Sequence, residues 1–168
     1  MTAPPIPSGV ITKAATLIAT GFGIGRLPFA PGTWGSLAAL PLAWVIAWLF
    51  DWRGLVVAAT LLFLIGWWAA ALASRASGIE DDGAIVVDEV VGQWLTLVVA
   101  PTNIAAYLMG FVLFRIFDIA KPWPVQRVDE HVRGGLGVMA DDIVAGVYAA
   151  ITLLLILWIL WLLGKPLG

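Results

Sequence analysis

Uncharged apolar runs alternate along this chain with short stretches that collect nearly all of its charge. The longest run, 143–163, has 21 residues, and at about 1.5 Å rise per residue it spans roughly 31 Å, the thickness of a bilayer's hydrocarbon core. Residues 54–73 form a second run of 20 residues, which reaches roughly 30 Å on the same rule. The run 37–50 is 14 residues long and interrupted by Pro41, so it crosses only with interfacial flanks or a locally thinned bilayer. Runs 90–100 and 104–114 hold 11 residues each and are separated only by Pro101, Thr102 and Asn103, a tight connection that predicts antiparallel neighbours. They cross fully only if Asp88, Glu89, Arg115 and Asp118 lie at membrane depth facing protein; otherwise they form a re-entrant hairpin. The pattern predicts an all-α fold, a single polytopic membrane bundle over 1–168 with about five membrane segments.

Composition agrees with a chain solvated by lipid. Hydrophobic residues make up 61% and charged residues 12%, with a mean hydropathy of +0.98, against about 25% charged in soluble domains. The absence of Cys removes disulfide and thiolate chemistry, and a net charge of −2 leaves no basic footprint for nucleic acid. With five crossings the loops alternate between two sides. One side holds Lys13, Arg26, Arg75, Arg115, Lys121, Arg127 and Arg133, and the other only Arg53 and Lys165. Cytoplasmic loops carry the excess of Lys and Arg, so the N-terminus is expected inside and the C-terminus outside. Trp48, Trp52, Trp158 and Trp161 would then form the outer aromatic belt, and Trp34 and Trp123 the inner one. No removable signal peptide is expected at the start of the chain.

This topology puts the three long connections, 21–36, 75–89 and 115–142, on the cytoplasmic face, with every acid except Asp51. The first, GFGIGRLPFAPGTWGS, turns tightly and carries few side chains to block a ligand. The amides at the start of the following helix, with Gly32, Thr33, Ser36 and Arg26, suit a phosphate; equally, Thr33 or Ser36 is a simple helix cap. In the second, Glu80, Asp81 and Asp82 read as a solvated run. Asp88 and Glu89, flanked by Ile85, Val86, Val87, Val90 and Val91, would be buried anions that need a cation, either Arg115 or Arg75 or a metal ion. In the third, Arg115, Asp118 and Lys121 recur at three-residue spacing on one helix face until Pro122 and Pro124 stop the helix; Arg115 with Asp118 is also an ordinary intrahelical pair. Asp141 and Asp142 are expected at the start of the last helix, where one carboxylate serves as a cap and the second exceeds that need. Adjacent helical residues point about 100° apart, so the two need not serve one ion. His131, between Glu130 and Val132, reads as a surface residue.

Five carboxylates on one face (Asp88, Glu89, Asp118, Asp141, Asp142) are hard oxygen ligands suited to magnesium, and a chain with no Cys and one His argues against zinc. Carboxylate-held metal facing Arg26, Arg115, Lys121 and glycine-loop amides is the arrangement phosphoryl transfer uses.

Three blocks, GFGIGRLPFAPGTWGSLAALP, IVVDEVVGQW and FRIFDIAKPWP followed by GGLGVMADDIVAG, resemble the signature blocks of the phosphatidylglycerophosphatase A family. The resemblance spans about 21–146. It implies a magnesium-dependent phosphatase of the bacterial inner membrane that converts phosphatidylglycerophosphate, a phospholipid partner within the bilayer, to phosphatidylglycerol. Asp88, Glu89, Asp118, Asp141, Asp142 and Lys121 fall inside matching blocks. Arg133 stands where the family pattern often has His, which weighs against a catalytic histidine. Two other classes use similar residues. An ion or proton transporter would carry charges near the bilayer midplane, and the 20- and 21-residue runs carry none. A CDP-alcohol-type phospholipid transferase would show widely spaced aspartates along a helix, whereas here they come as two adjacent pairs and a single.

Overall fold

The structure is a computed structural model that describes residues 9–79 and 82–167, and every regular element among them is helical. Helix α1 spans Gly9–Ala19 and leads through a 3-10 turn, Ile24–Arg26, into α2, Pro31–Ser77; α3 is Val87–Leu97, α4 Ile104–Ala120, α5 Val125–His131 and α6 Gly134–Leu162. Glu80 and Asp81, expected in a solvated run, lie outside the described residues, as do Met1 and Gly168. Asp82 is half-buried, and its carboxylate accepts the Ala84 N–H at 3.1 Å, so it shapes the turn before α3.

Helix α2 starts earlier than the hydrophobic pattern suggests. Pro31 occupies its first turn, where a missing N–H costs nothing, after Ala30 in the left-handed region at φ 47°. Thr33 and Ser36 therefore sit inside the helix, and neither caps it; the Ser36 hydroxyl donates back to the Gly32 carbonyl at 2.9 Å. The first apolar arm becomes 31–50, about 30 Å long, which removes the shortfall of the run 37–50. The arm ends at Asp51, whose φ of 55° and ψ of −162° are not helical. Its carboxylate accepts the Arg53 N–H at 2.7 Å and pairs with the Arg53 guanidinium at 3.1 Å, so Asp51 caps the second arm, 52–77.

The two arms fold back on each other. A Cβ at Gly35 would stand 2.9 Å from Val86 Cβ, and one at Gly66 would stand 3.1 Å from Val87 Cγ2. A straight helix would hold those glycines about 46 Å apart, so only a hairpin at Asp51 brings both to the start of α3. Ala39, Ala43, Leu55 and Ala59 pack together with Trp94 and Leu97 between the arms and α3. The α3–α4 connection reaches the same end of the bundle as the Asp51 turn: Asp51 and Trp52 share a cavity wall with Val98, Pro101 and Thr102. Asn103 then caps α4, accepting from the N–H groups of Ala105 and Ala106 at 2.8 and 3.3 Å.

Helix α3 is the axis of the bundle, packed against α2, α4 and α6, with most of its side chains buried. Its contact with α6 is backbone on backbone. A Cβ at Gly146 would stand 2.6 Å from the Gly92 carbonyl oxygen, and one at Gly92 would stand 2.7 Å from the Asp142 carbonyl and 2.5 Å from the Phe114 ring. The Thr96 hydroxyl lies in the same crossing, 2.9 Å from the Gly92 carbonyl and 3.3 Å from that of Gly146. Small residues that let two apolar helices approach this closely are the usual glue of helices in lipid. Helix α6 begins at Gly134, seven residues before Asp141, and Asp141 and Asp142 consequently do not cap it. The glycines at its start serve close packing: a Cβ at Gly135 would stand 2.6 Å from the Trp67 carbonyl, and only glycine lets α6 lie on the second arm of α2. Helix α5 was not foreseen. Of the described helices, α2 and α6 are long and apolar enough to cross a membrane.

Gly92→Ala should lower stability in detergent by about 1–3 kcal/mol, the usual cost of overpacking a tight contact. Gly9→Ala, with nothing among the described residues within 4 Å of its Cβ, should not lower stability. Thermal unfolding of the two variants side by side checks this; equal melting temperatures would mean the crossing is slack.

Candidate active site

The polar residues gather at the end of the bundle opposite Asp51. Asp88 and Glu89 occupy the first turn of α3, and Asp142 faces them from α6. The reason lies one helical turn further on, where Gly92 and Gly146, each four residues after Asp88 and Asp142, bring the two backbones together. Asp88 and Asp142 are 9% and 4% exposed, and each of the three carboxylates offers an oxygen within 4.8 Å of the others. The Asp88 carboxylate also accepts the Glu89 N–H at 3.0 Å, whereas Glu89 Oε2 is buried without a hydrogen-bond partner among the described residues.

The start of α2 closes one side of this group. A Cβ at Gly32 would collide with Glu89 Oε1 and stand 3.3 Å from Arg115 Nη1, so a side chain there would displace the Glu89 carboxylate from its place against α2. Arg115 pairs with Asp118 on its own helix at 2.5 Å and reaches Ser36 Oγ at 3.4 Å. Four residues singled out in the sequence, Gly32, Ser36, Glu89 and Arg115, thus lie together in one layer, and of these four Glu89 alone lines the cavity described below.

Lys121 forms a second charged unit. It ends α4 in the left-handed region at φ 42°, and its ammonium donates to Asp129 at 2.6 Å and to Asp141 at 2.8 Å. Burial disfavours its charge, but the two hydrogen-bonded carboxylates outweigh burial and hold it above the ordinary lysine range. Lys121 therefore stays protonated at any working pH. The 100° offset between neighbours separates the last pair of acids: Asp142 joins Asp88 and Glu89, and Asp141 joins Lys121.

Both units line one cavity of about 670 Å³, with Asp118 and Arg133 also on its wall. Arg26 lies elsewhere, in a groove with Lys13, Thr16 and Leu17, and Thr33 is half-buried in α2 and does not line the cavity. His131 is exposed, its Nδ1 2.9 Å from the Arg127 carbonyl. Two participants escaped the reading of the sequence. Asp129 reaches Lys121 only because α5 folds back after Pro124, which punctuation alone did not signal. Gln93, fully buried one turn below Glu89, was visible in principle as the i+4 neighbour of an acid.

The three-carboxylate group fits a hard divalent cation. All donors are oxygens, an oxygen of Glu89 is unpaired, Arg115 is bonded to Asp118, and Lys121 is held by Asp129 and Asp141. Apolar helices, two of them long and apolar enough to cross a membrane, gather carboxylates and paired cations around a cavity at one end of a helical bundle. The chain belongs to the phosphatidylglycerophosphatase A family, whose model matches residues 17–157, and it is accordingly a phosphatase. It is 44% identical over 135 residues to phosphatidylglycerophosphatase A of Escherichia coli strain K12, covering 80% of this chain and 78% of that one. The corresponding Haemophilus influenzae protein is 38% identical over 148 residues, covering 88% and 90%. A Bacteroides thetaiotaomicron protein, provisionally named a phosphatidylinositol-3-phosphatase, is 42% identical over 151 residues, covering 86% and 94%. No solved structure matches the chain.

Asp88, Glu89 and Asp142 crowd together with Arg115 as a neighbouring cation that is already bonded to Asp118, so their like charges should destabilise the metal-free protein. In chelator, Asp142→Asn should raise stability by about 1–3 kcal/mol, the scale of one buried group's desolvation, because it removes one like charge from the group, and it should abolish activity. Melting curves in chelator check this; a fall in melting temperature would show that the acids are mutually compensated by protons or solvent.

Proposed function

We propose that the protein removes the terminal phosphate of phosphatidylglycerophosphate, giving phosphatidylglycerol and inorganic phosphate, with magnesium held by Asp88, Glu89 and Asp142. The observation that carries this reading is the convergence of those three carboxylates on a cavity whose other wall holds the doubly anchored ammonium of Lys121. When bound, the ion supplies positive charge against the charge that develops on the phosphoryl oxygens. Lys121 keeps a third N–H after serving Asp129 and Asp141, and that donor binds a phosphate oxygen. Because two carboxylates fix the ammonium, it needs no reorganisation as charge builds, which is the condition for electrostatic catalysis. Asp118 and Asp141 hold Arg115 and Lys121 in place. Arg115 ties α4 to Ser36 and so keeps the start of α2 against Glu89. The headgroup carries a phosphate monoester with roughly two negative charges near neutral pH, by analogy with phosphorylated side chains. Attack at that monoester leaves the inner phosphodiester intact.

The same reading places the chain across the bacterial inner membrane in five passes, with the polar end in the cytoplasm and the acyl chains of the substrate remaining in the bilayer. Lys and Arg divide seven to two in favour of that end. Trp48, Trp52, Trp158 and Trp161, and likewise Trp34 and Trp123, have exposed rings suited to the two interfaces. A full α3–α4 hairpin is favoured over a re-entrant one because its connection shares a cavity wall with Asp51, at the far end of the α2 hairpin.

Purified protein with magnesium should release phosphate from phosphatidylglycerophosphate in mixed micelles, faster than from phosphatidate or phosphatidylinositol 3-phosphate, and chelator should stop it. Lys121→Ala should lower kcat/KM by about 10²-fold or more, the scale of removing one preorganised charge-stabilising donor. Turnover in chelator would refute the metal, faster release from another lipid would refute the substrate, and full activity of Lys121→Ala would refute the role of the ammonium.

A further inference from the structure

Gln93 is fully buried, yet neither atom of its amide has a hydrogen-bond partner among the described residues. Buried amides in folded proteins are almost always satisfied, and one left unpaired on both atoms calls for a ligand or an enclosed water. Two further polar atoms nearby are in the same condition, Glu89 Oε2 and Arg115 Nε.

These orphans occupy one layer. Gln93 lies four residues after Glu89 on α3, so the two share a face, and side chains on a helix lean towards its N-terminus, which tips Gln93 towards Glu89. The neighbours fix the depth. Helix α2 passes Glu89 at Gly32 and Trp94 at Ala39, where the Trp94 Nε1–H donates to the Ala39 carbonyl at 3.0 Å. Ser36, the partner of Arg115, falls between those two contacts, and α4 passes Gly92 at Phe114, the residue before Arg115. By this spacing Gln93 falls at the level of Ser36 and Arg115, one turn deeper in the bundle than Glu89, and it is not among the residues lining the cavity.

We propose that Gln93 is a positioning residue for Glu89: through enclosed water it satisfies Glu89 Oε2 and Arg115 Nε and fixes the carboxylate that would hold the divalent cation. The amide suits this task because it donates to the carboxylate side and accepts from the guanidinium side. A second carboxylate would repel Glu89, and an apolar residue would leave its oxygen unpaired. Groups that orient metal-binding carboxylates typically govern metal affinity by 10- to 100-fold.

This inference rests on the metal reading given above, and the test separates the two. Gln93→Met, unbranched and of similar size, and Gln93→Leu are purified in detergent beside the wild type. Mn2+ binding is measured by electron paramagnetic resonance, together with thermal unfolding and phosphate release. The expected result is a dissociation constant for Mn2+ raised about 10- to 100-fold, with turnover largely restored at high metal concentration, in whichever variant remains folded. Equal Mn2+ affinity in the wild type and in whichever variant folds would overturn the role of Gln93 alone. Absence of Mn2+ binding to the wild type would overturn the metal reading, and this inference with it. A loss of melting temperature at unchanged affinity would make Gln93 a packing residue only.

Discussion

Asp88, Glu89 and Asp142 repel one another inside an apolar bundle, and the surrounding structure is organised to hold them there. Three carboxylates withdrawn from water are costly unless a cation joins them. Glycine is what makes the convergence geometrically possible. Gly92 and Gly146 let α3 and α6 touch backbone to backbone one turn below the acids, and Gly32 lets the start of α2 lie against Glu89. Replacing any of these side-chain-free contacts would push a carboxylate away from its neighbours, so the packing of the core and the chemistry of the site depend on the same few positions.

Charge is sorted with equal economy. Arg115 is bonded to Asp118, and Lys121 bridges Asp129 and Asp141. Each cation is thus paired with an acid outside the three-carboxylate group, while Asp118 also faces Asp142 and Arg115 also acts on Glu89. Around the site, the outer faces of α2 and α6 expose large apolar side chains such as Leu42, Trp48, Leu64, Ile151 and Leu155. Exposure on this scale suits lipid rather than water. A lipid phosphatase needs both features, an exterior that shares the solvent of its substrate's acyl chains and a polar end that meets the headgroup.

Much of this was legible in the chain, and the failures have physical causes. Helical, membrane-type character followed from run length and composition, because bilayer thickness sets a length that sequence displays directly. The acids were recognisable because anions flanked by Val and Ile have few other reasons to exist. Helix starts were misplaced at Pro31 and Gly134, since Gly and Pro signal turns in isolation and only tertiary contact reveals that Gly32 and Gly135 serve close helix approach. The division of labour between Asp141 and Asp142 was open from their 100° offset, but the partner of Asp141 was not, because the route from Lys121 to Asp129 runs through α5. Arg26 was grouped with phosphate ligands on sequence proximity to the glycine loop, and the turn at Ile24–Arg26 carries it to another groove.

The most direct test of the central claim is an anomalous difference map from crystals of the protein grown in lipid with Mn2+. The account predicts a peak bounded by the carboxylates of Asp88, Glu89 and Asp142, at about 2.1 Å from their oxygens, the distance expected for a small octahedral cation. An empty three-carboxylate group beside a peak at Asp129 and Asp141, or a lysine or arginine side chain filling the space between the three acids, would contradict it.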